Sequence, residues 1–403
     1  MVKRTVSIRF IIAICVGIAS IATASAQDAE AEYAARFLKQ LPKVDSPPSL
    51  TEYATPKRFD ERFMGDPLDK ALGSVSSQQG NNAWGLAYWM DAYNEMYRVT
   101  KDPKYLAANL RCIDAMLAAR DDKQGLVLWT GATAPAWSSE KYAERGRAIF
   151  AVHTGMIVYP MLDALVLLRN APDLLSPETD HYKAIQRQAL EALAYHDRQW
   201  VDGPGEGEGH YIGIDQEDIL EGKVLPGNRL SAMGRALWAA WKLTGDEARR
   251  DRAIALAWYI KRRLGVSADG AYYWEYWLPD APVTGPVDRE VVNGEDTSHG
   301  QLTASFPFML AAEGVVFDEA DLRRFGLTVL NGIARRNDGI LYGNVTGNPK
   351  SNPAHVSHPY GWLHAVPAVP EDKDRLLDFY LNYQPSPGPL DFAYLLTYAV
   401  ENP

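Results

Sequence analysis

The chain has 403 residues, of which 47% are hydrophobic and 11% aromatic, and carries a formal net charge of −10. An acidic balance of this size argues against a nucleic-acid partner and against a surface that attracts polyanions as a whole, so an anionic substrate would need a local cluster of arginines in a cleft. Of the two cysteines, Cys15 falls in a leader and Cys112 stands alone, so a large apolar core must replace disulfide staples.

The first 26 residues read as a secretory signal peptide: Lys3, Arg4 and Arg9, an apolar run from Phe10 to Thr23, and the small-x-small site Ala24-Ser25-Ala26. The apolar run is short for a bilayer span of about 20 residues, so the expected location is periplasmic or secreted, with no membrane span. Losing the three basic residues takes the formal charge from −10 to −13. Residues 27–60 follow as an amphipathic start, "AEAEYAARFLKQL", and a proline-bearing linker. Residues 61–403 read as one catalytic domain.

Within that domain a unit recurs: a polar or aromatic corner, an apolar helix, a short turn and a second helix of mixed polarity. It opens with "NNAWGLAYWMDAYNEMYRVTKDPKYLAANLRCIDAMLAAR", in which Asp102 and Pro103 restart the chain as N-cap and first helical residue. Further units start at "HTGMIVYPMLDALVLLRN", "GNRLSAMGRALWAAWKLTGDEA", "SHGQLTASFPFMLAAEG" and, more weakly, "YGWLHAVPAVPEDKDRLLDFYLNY", and "LDFAYLLTYAVE" closes the chain. Gly85, Gly155, Gly234, Gly300 and Gly361 mark the units at spacings of 70, 79, 66 and 61 residues, too irregular for a strict repeat. Short strand signals, "AYYWEYW" and "GILYGNV", lie between units. The pattern predicts an all-α fold, an α/α toroid of five to seven helical hairpins, closed or incomplete, with short β-hairpins in the loops. A stacked solenoid is the structural rival.

In a toroid the loops feeding the inner helices ring one cavity. Here those starts carry Asn81-Asn82 before Trp84, His153-Thr154, Asn228-Arg229, Ser298-His299 and His358-Pro359-Tyr360. Asparagine and serine are ordinary helix caps, but histidine and arginine are poor ones, so convergence on a site is the sharper reading. Arg145 and Arg147 add local positive charge upstream of His153. The loop "DGPGEGEGHYIGIDQED" at 202–218 crowds Asp202, Glu206, Glu208, Asp215, Glu217 and Asp218 around glycines. It reads as a solvated acidic loop, as a calcium site, or as a flap presenting His210 and Tyr211. The loop tryptophans Trp129, Trp137, Trp274 and Trp277 are hard to assign to a core and suit sugar rings. No phosphate loop, dinucleotide fingerprint, HExxH, GxSxG or Cys-His zinc cluster occurs, so no cofactor is expected beyond that calcium option.

Taken together, the leader, the helical hairpins with aromatic loops and the Asn, His, Arg and Tyr corners over residues 60–400 resemble the secreted α/α-toroid carbohydrate-active enzymes. The likeness is to the polysaccharide lyases of uronic-acid polymers such as alginate or glucuronan. "NNAW" is similar to the paired asparagines of some of them, although the histidine behind the pair is absent. The resemblance implies an anionic polysaccharide or oligosaccharide substrate cleaved by β-elimination, in which a neutralised carboxylate acidifies the C5 proton and oriented donors stabilise the enediolate. By type and position it implies Asn228 and Arg229, with Asn82, on the carboxylate. His153 or His299 would neutralise it or act as base, with Tyr211 or Tyr360 as proton shuttle and Glu295 orienting His299. Trp84, Arg147, His210, Trp274 and His358 complete the expected substrate contacts. The alternatives are a glycoside hydrolase on the same toroid, using two carboxylates drawn from Asp91, Glu206, Glu208, Asp215, Glu295 and Asp296; an epimerase sharing the C5-proton chemistry; and a non-catalytic glycan-binding protein.

Overall fold

The computed structural model describes residues 48–76, 80–141, 143, 145–215, 220–285, 292–335, 341–348, 360–383 and 387–402. Helices α1 (Leu50–Tyr53), α2 (Pro56–Phe63) and α3 (Asp66–Gly73) lead into a π-turn, Asn82–Leu86, and α4 (Ala87–Thr100). Then come α5 (Pro103–Ala118), α6 (Asp121–Gln124), α7 (Ala151–Leu168), α8 (Asp180–Ala194), α9 (Gly227–Thr244) and α10 (Glu247–Lys261). The chain ends with α11 (Thr297–Ala311), α12 (Glu319–Thr328), a 3-10 segment Tyr360–Ala368, α13 (Asp374–Tyr383) and α14 (Pro389–Glu401).

The apolar first helices form an inner ring. Each packs on the next, in the order α4, α7, α9, α11, the 360–368 segment and α14, and α14 returns to α4. Helices α5, α8, α10 and α12 lie outside, each against its own hairpin partner. The fold is therefore an α/α toroid with six inner elements, within the range that the repeat predicts, and a closed ring rather than a solenoid. The outer helices start on side-chain caps: Asp102, Thr179, Asp246 and Asp318 each accept from a backbone N–H of the first turn. Inner helix α7 is apolar on every side because it is buried on every side. It is long and apolar enough to cross a membrane, but 83% of it is inside the protein.

Neighbouring inner helices come very close. A Cβ on Gly155 of α7 would sit 2.6 Å from the Ala232 carbonyl carbon of α9, and one on Gly234 would sit 2.4 Å from the Phe306 ring of α11. Among the described residues three two-stranded antiparallel ribbons decorate the loops: β1 (Ser138–Ser139) with β2 (Ala148–Ile149), β3 (Trp200–Asp202) with β4 (Gly209–Tyr211), and β5 (Gly265–Val266) with β6 (Tyr272–Tyr273). "AYYWEYW" thus contributes a strand. "GILYGNV" forms no ribbon among its described residues, where Asn344 bridges only Asp296.

Candidate active site

A cavity of about 1280 Å³ runs along the axis of the inner ring. Its lining passes from Trp84, Ser298, His299 and Gly361 at the helix starts to Arg98, Lys242 and Glu313 at the helix ends. Aromatic faces dominate it: Trp84, Tyr88, Trp89, Tyr159, Trp238, Phe308 and Tyr394.

At the helix starts, four of the corners are linked side chain to side chain. Trp84 meets His153 edge-on at 5.6 Å, His153 meets Phe150 at 5.2 Å, and the Arg229 guanidinium lies 6.0 Å from Phe150. On the far side Tyr276 meets His299 at 5.2 Å, and the nearby Arg229 guanidinium opposes the rise that burial imposes on the Tyr276 phenol. The fifth corner joins through the Gly361 N–H, which donates to Gln301 Oε1 at 3.0 Å. Gly80 is part of this geometry: its φ of +70° favours glycine, and a Cβ there would press on the His153 ring at 3.0 Å. Burial, reinforced by Arg229 and Lys141, lowers the His153 pKa to about 3, so this imidazole is neutral at physiological pH. Four buried atoms at these corners find no protein partner among the described residues: Asn82 Nδ2, Trp84 Nε1, Asn228 Oδ1 and Arg229 Nη1. Such groups call for an ordered water or a ligand oxygen.

His299 stands at the mouth with its side chain 42% exposed. Its partner is Asp296, which bonds Nδ1 through one oxygen while the other caps α11 by accepting from the Ser298 and His299 N–H groups. The expected orienting role of Glu295 is corrected here. Glu295 faces away from the cavity, where Oε2 accepts from Trp274 Nε1 at 2.5 Å and from Thr303 Oγ1 at 2.7 Å. Full burial raises its pKa to about 8.

Between the middle and the ends of the inner helices, away from the helix-start corners, lies a charged layer. Glu95 and Arg98 of α4, Asp163 of α7 and Arg235 of α9 line the cavity, with His364 of the 360–368 segment. Arg98 bridges two carboxylates, Glu95 at 2.6 Å and Asp163 on the neighbouring helix α7. Asn94 Nδ2 supports Asp163 at 2.7 Å. Arg235 pairs with buried Asp91 at 2.6 Å and lies 3.7 Å from the centre of the Tyr159 ring. Burial raises the proton affinity of Glu95 and of Asp163, against the opposing pull of Arg98 on both. His364 is exposed to the cavity but enclosed by the ring and near Arg235, and this desolvation lowers it to about 4. The signal for this layer was in the sequence: Asp163 is the one charge inside the eighteen-residue run of α7.

Several expected contacts lie elsewhere. His210 and Tyr211 are not on a free flap but on β4, which packs against outer helix α10. His210 Nδ1 is bonded to the Gly203 carbonyl and its ring lies 4.8 Å from Tyr259; Tyr211 is 1% exposed against Trp200. Trp274 is buried against Trp362 and Phe325, and Tyr360 is buried near Asp391, Tyr53 and Arg62. Arg147 binds Ser138 and Glu140 on the β1–β2 ribbon. Thr154 is held by His196 at 2.8 Å. His358 lies outside the described residues, as do Glu217 and Asp218 of the acidic loop. Within that loop Glu208 is clamped by Arg262 and Arg263, Asp215 by Arg198, and Asp202 accepts from Trp200.

No family model and no curated protein matches the chain. Among solved structures it is similar to the α-1,6-mannanase GH76A of Salegentibacter sp. HEL1_6, at 12% identity over 85% of this chain and 98% of that one, with a TM-score of 0.49. It is also similar to a D-mannose isomerase, at 13% identity over 88% of this chain and 99% of that one, with a TM-score of 0.48. Neither is named as a lyase, and at this distance neither carries a residue role over to this chain.

Proposed function

We propose that the protein is a carbohydrate-active enzyme that hydrolyses glycosidic bonds in a neutral saccharide bound along the toroid axis. The observation that carries this reading is the charge arrangement of the cavity. Among the described residues the cations lining it are each paired with a carboxylate, Arg98 with Glu95 and Asp163, Arg235 with Asp91, and Lys242 with Glu313. In that stretch of the cavity a polyuronate meets carboxylates and cations already paired with one another, whereas a neutral sugar finds aromatic faces and hydrogen-bonding groups. Two carboxyl groups on neighbouring inner helices, tied to one guanidinium, are the candidates for the chemistry: Glu95 as the acid protonating the leaving oxygen and Asp163 as the base activating water. The expected lyase loses its shuttles, because Tyr211 and Tyr360 are buried off the cavity and burial raises both phenols.

A second reading rests on His299. An imidazole held by a carboxylate at the mouth of a sugar-sized cavity can move a proton at carbon, as elimination or epimerisation requires.

One assay separates them. Purified protein is incubated with neutral oligosaccharides, α-1,6-mannooligosaccharides among them, and with a polyuronate panel. New reducing ends from a neutral glycan, with no ultraviolet absorbance from an unsaturated product, is the expected result. Absorbance growing on a polyuronate would overturn the hydrolase reading in favour of the lyase.

A further inference from the structure

All eleven tryptophans of the chain are described, and ten of them are buried or half-buried. Trp277 alone is exposed, at 42%. The other loop tryptophans are accounted for: Trp129 Nε1 donates to the Asp215 carbonyl, Trp137 Nε1 to the Met116 carbonyl and Trp274 Nε1 to Glu295. Trp277 is not stranded on a floppy tip. Its neighbour Leu278 is buried, the Tyr276 carbonyl accepts from the Gly227 N–H that opens α9, and Tyr276 packs on His299 at the cavity mouth. The Trp277 ring stands edge-on to Tyr276 at 5.7 Å. A large apolar ring is thus held in water, on an anchored stretch of loop, one residue from a side chain that touches the mouth.

We infer that Trp277 is a distal sugar-binding platform, on which a pyranose ring outside the cavity stacks while the rest of the saccharide occupies the axis. The substrate is then an oligosaccharide or polymer longer than the cavity, not a free monosaccharide. The inference rests on the saccharide reading of the cavity but not on hydrolysis. An indole presents a flat apolar face that matches the C–H face of a sugar ring, and one such contact is worth about 10-fold in affinity.

The test uses binding, so it does not depend on turnover. Mannooligosaccharides, cellooligosaccharides and maltooligosaccharides of two to six sugars are titrated calorimetrically into the full protein and into Trp277→Ala and Trp277→Phe. Affinity for at least one series should rise with chain length in the native protein. Trp277→Ala should weaken its long members by about 10-fold, leave its dimer unchanged and recover partly as Phe. Acrylamide quenching gives a second readout, since Trp277 should dominate the quenchable fluorescence and a long ligand should shield it. Equal loss for short and long ligands, no loss, or binding of no series overturns the platform. So does shielding that depends on protein concentration without sugar, which marks a self-association surface. Failure of the hydrolase assay with intact length-dependent binding would remove hydrolysis and keep the platform.

Discussion

Arg98 holds Glu95 and Asp163 at once, one through each terminal nitrogen, so a single guanidinium joins two walls of the cavity. Neither carboxyl is free to drift, and each keeps the proton affinity that its burial raises. This arrangement decides which substitutions should be expensive for chemistry and which for folding.

Replacing Glu95 by Gln preserves shape and a hydrogen-bonding oxygen but removes the acid. Turnover of the cleaved saccharide should fall by about 10²–10⁴, the usual worth of a general acid, with the thermal midpoint little changed. A fall confined to KM would assign Glu95 to binding instead.

His299→Ala distinguishes the two reactions. If carboxyls do the chemistry, the variant raises KM and keeps kcat within about 10-fold, because His299 only borders the bound chain. A loss of kcat of about 10³ or more, matched by Asp296→Asn, would move the chemistry to the mouth. Asparagine still offers an oxygen to cap α11, so folding should survive.

Glu295 sets a stability slope with pH. Its carboxyl is raised to about 8 in the folded protein against an ordinary value of 4.5. Between those values the folded state keeps a proton that the unfolded chain has released. Stability contributed by this site is therefore intact below the unfolded value, declines as pH rises through the window, and levels off above the folded one. Glu295→Gln should flatten that part of the curve in denaturant titrations from pH 5 to 8. An unchanged slope would show that the carboxyl is ionised in the fold.

Asp91 and Arg235 make a buried pair whose disruption is asymmetric. Asp91→Ala leaves a buried guanidinium unmatched and should cost about 3–5 kcal/mol, while Asp91→Leu with Arg235→Met should cost less than the single change. Chemical denaturation of the three proteins checks the order.

Gly155→Ala adds one methyl where α7 lies on the backbone of α9, and backbone cannot swing aside as a side chain can. Overpacking of this kind costs about 1–3 kcal/mol, visible as a lower thermal midpoint. Gly73, with open space around its Cβ position, is the matched control.

The toroid was legible because each hairpin announces itself: an apolar run, a turn such as "VTKDPK", and a capped partner. The corners were legible for a related reason, since His153, Arg229 and His299 are poor caps placed where caps belong. The axial layer is not legible at the helix starts; its one sequence signal is Asp163, a lone charge in an apolar helix that requires a cation, met by Arg98. The glycines of 202–218 suggest freedom, yet the ribbon with the preceding "WVD" and the grip of Arg262 and Arg263 on Glu208 fix residues 203–211, and the second of these depends on residues more distant in the chain. Proximity in sequence points Glu295 at His299. Its real partner, Trp274, is 21 residues earlier.

The inner ring closes only where α14, near the end of the chain, packs against α4, near the start of the toroid. The last seam therefore joins segments almost the whole domain apart, a contact of very high sequence separation. Such contacts must bear their loop-closure entropy before they return any stability, so the ring should assemble late and slowly. Until α14 docks, the aromatic wall of the cavity is an open trough facing water. Completion of the axial cavity and the last step of folding should then coincide.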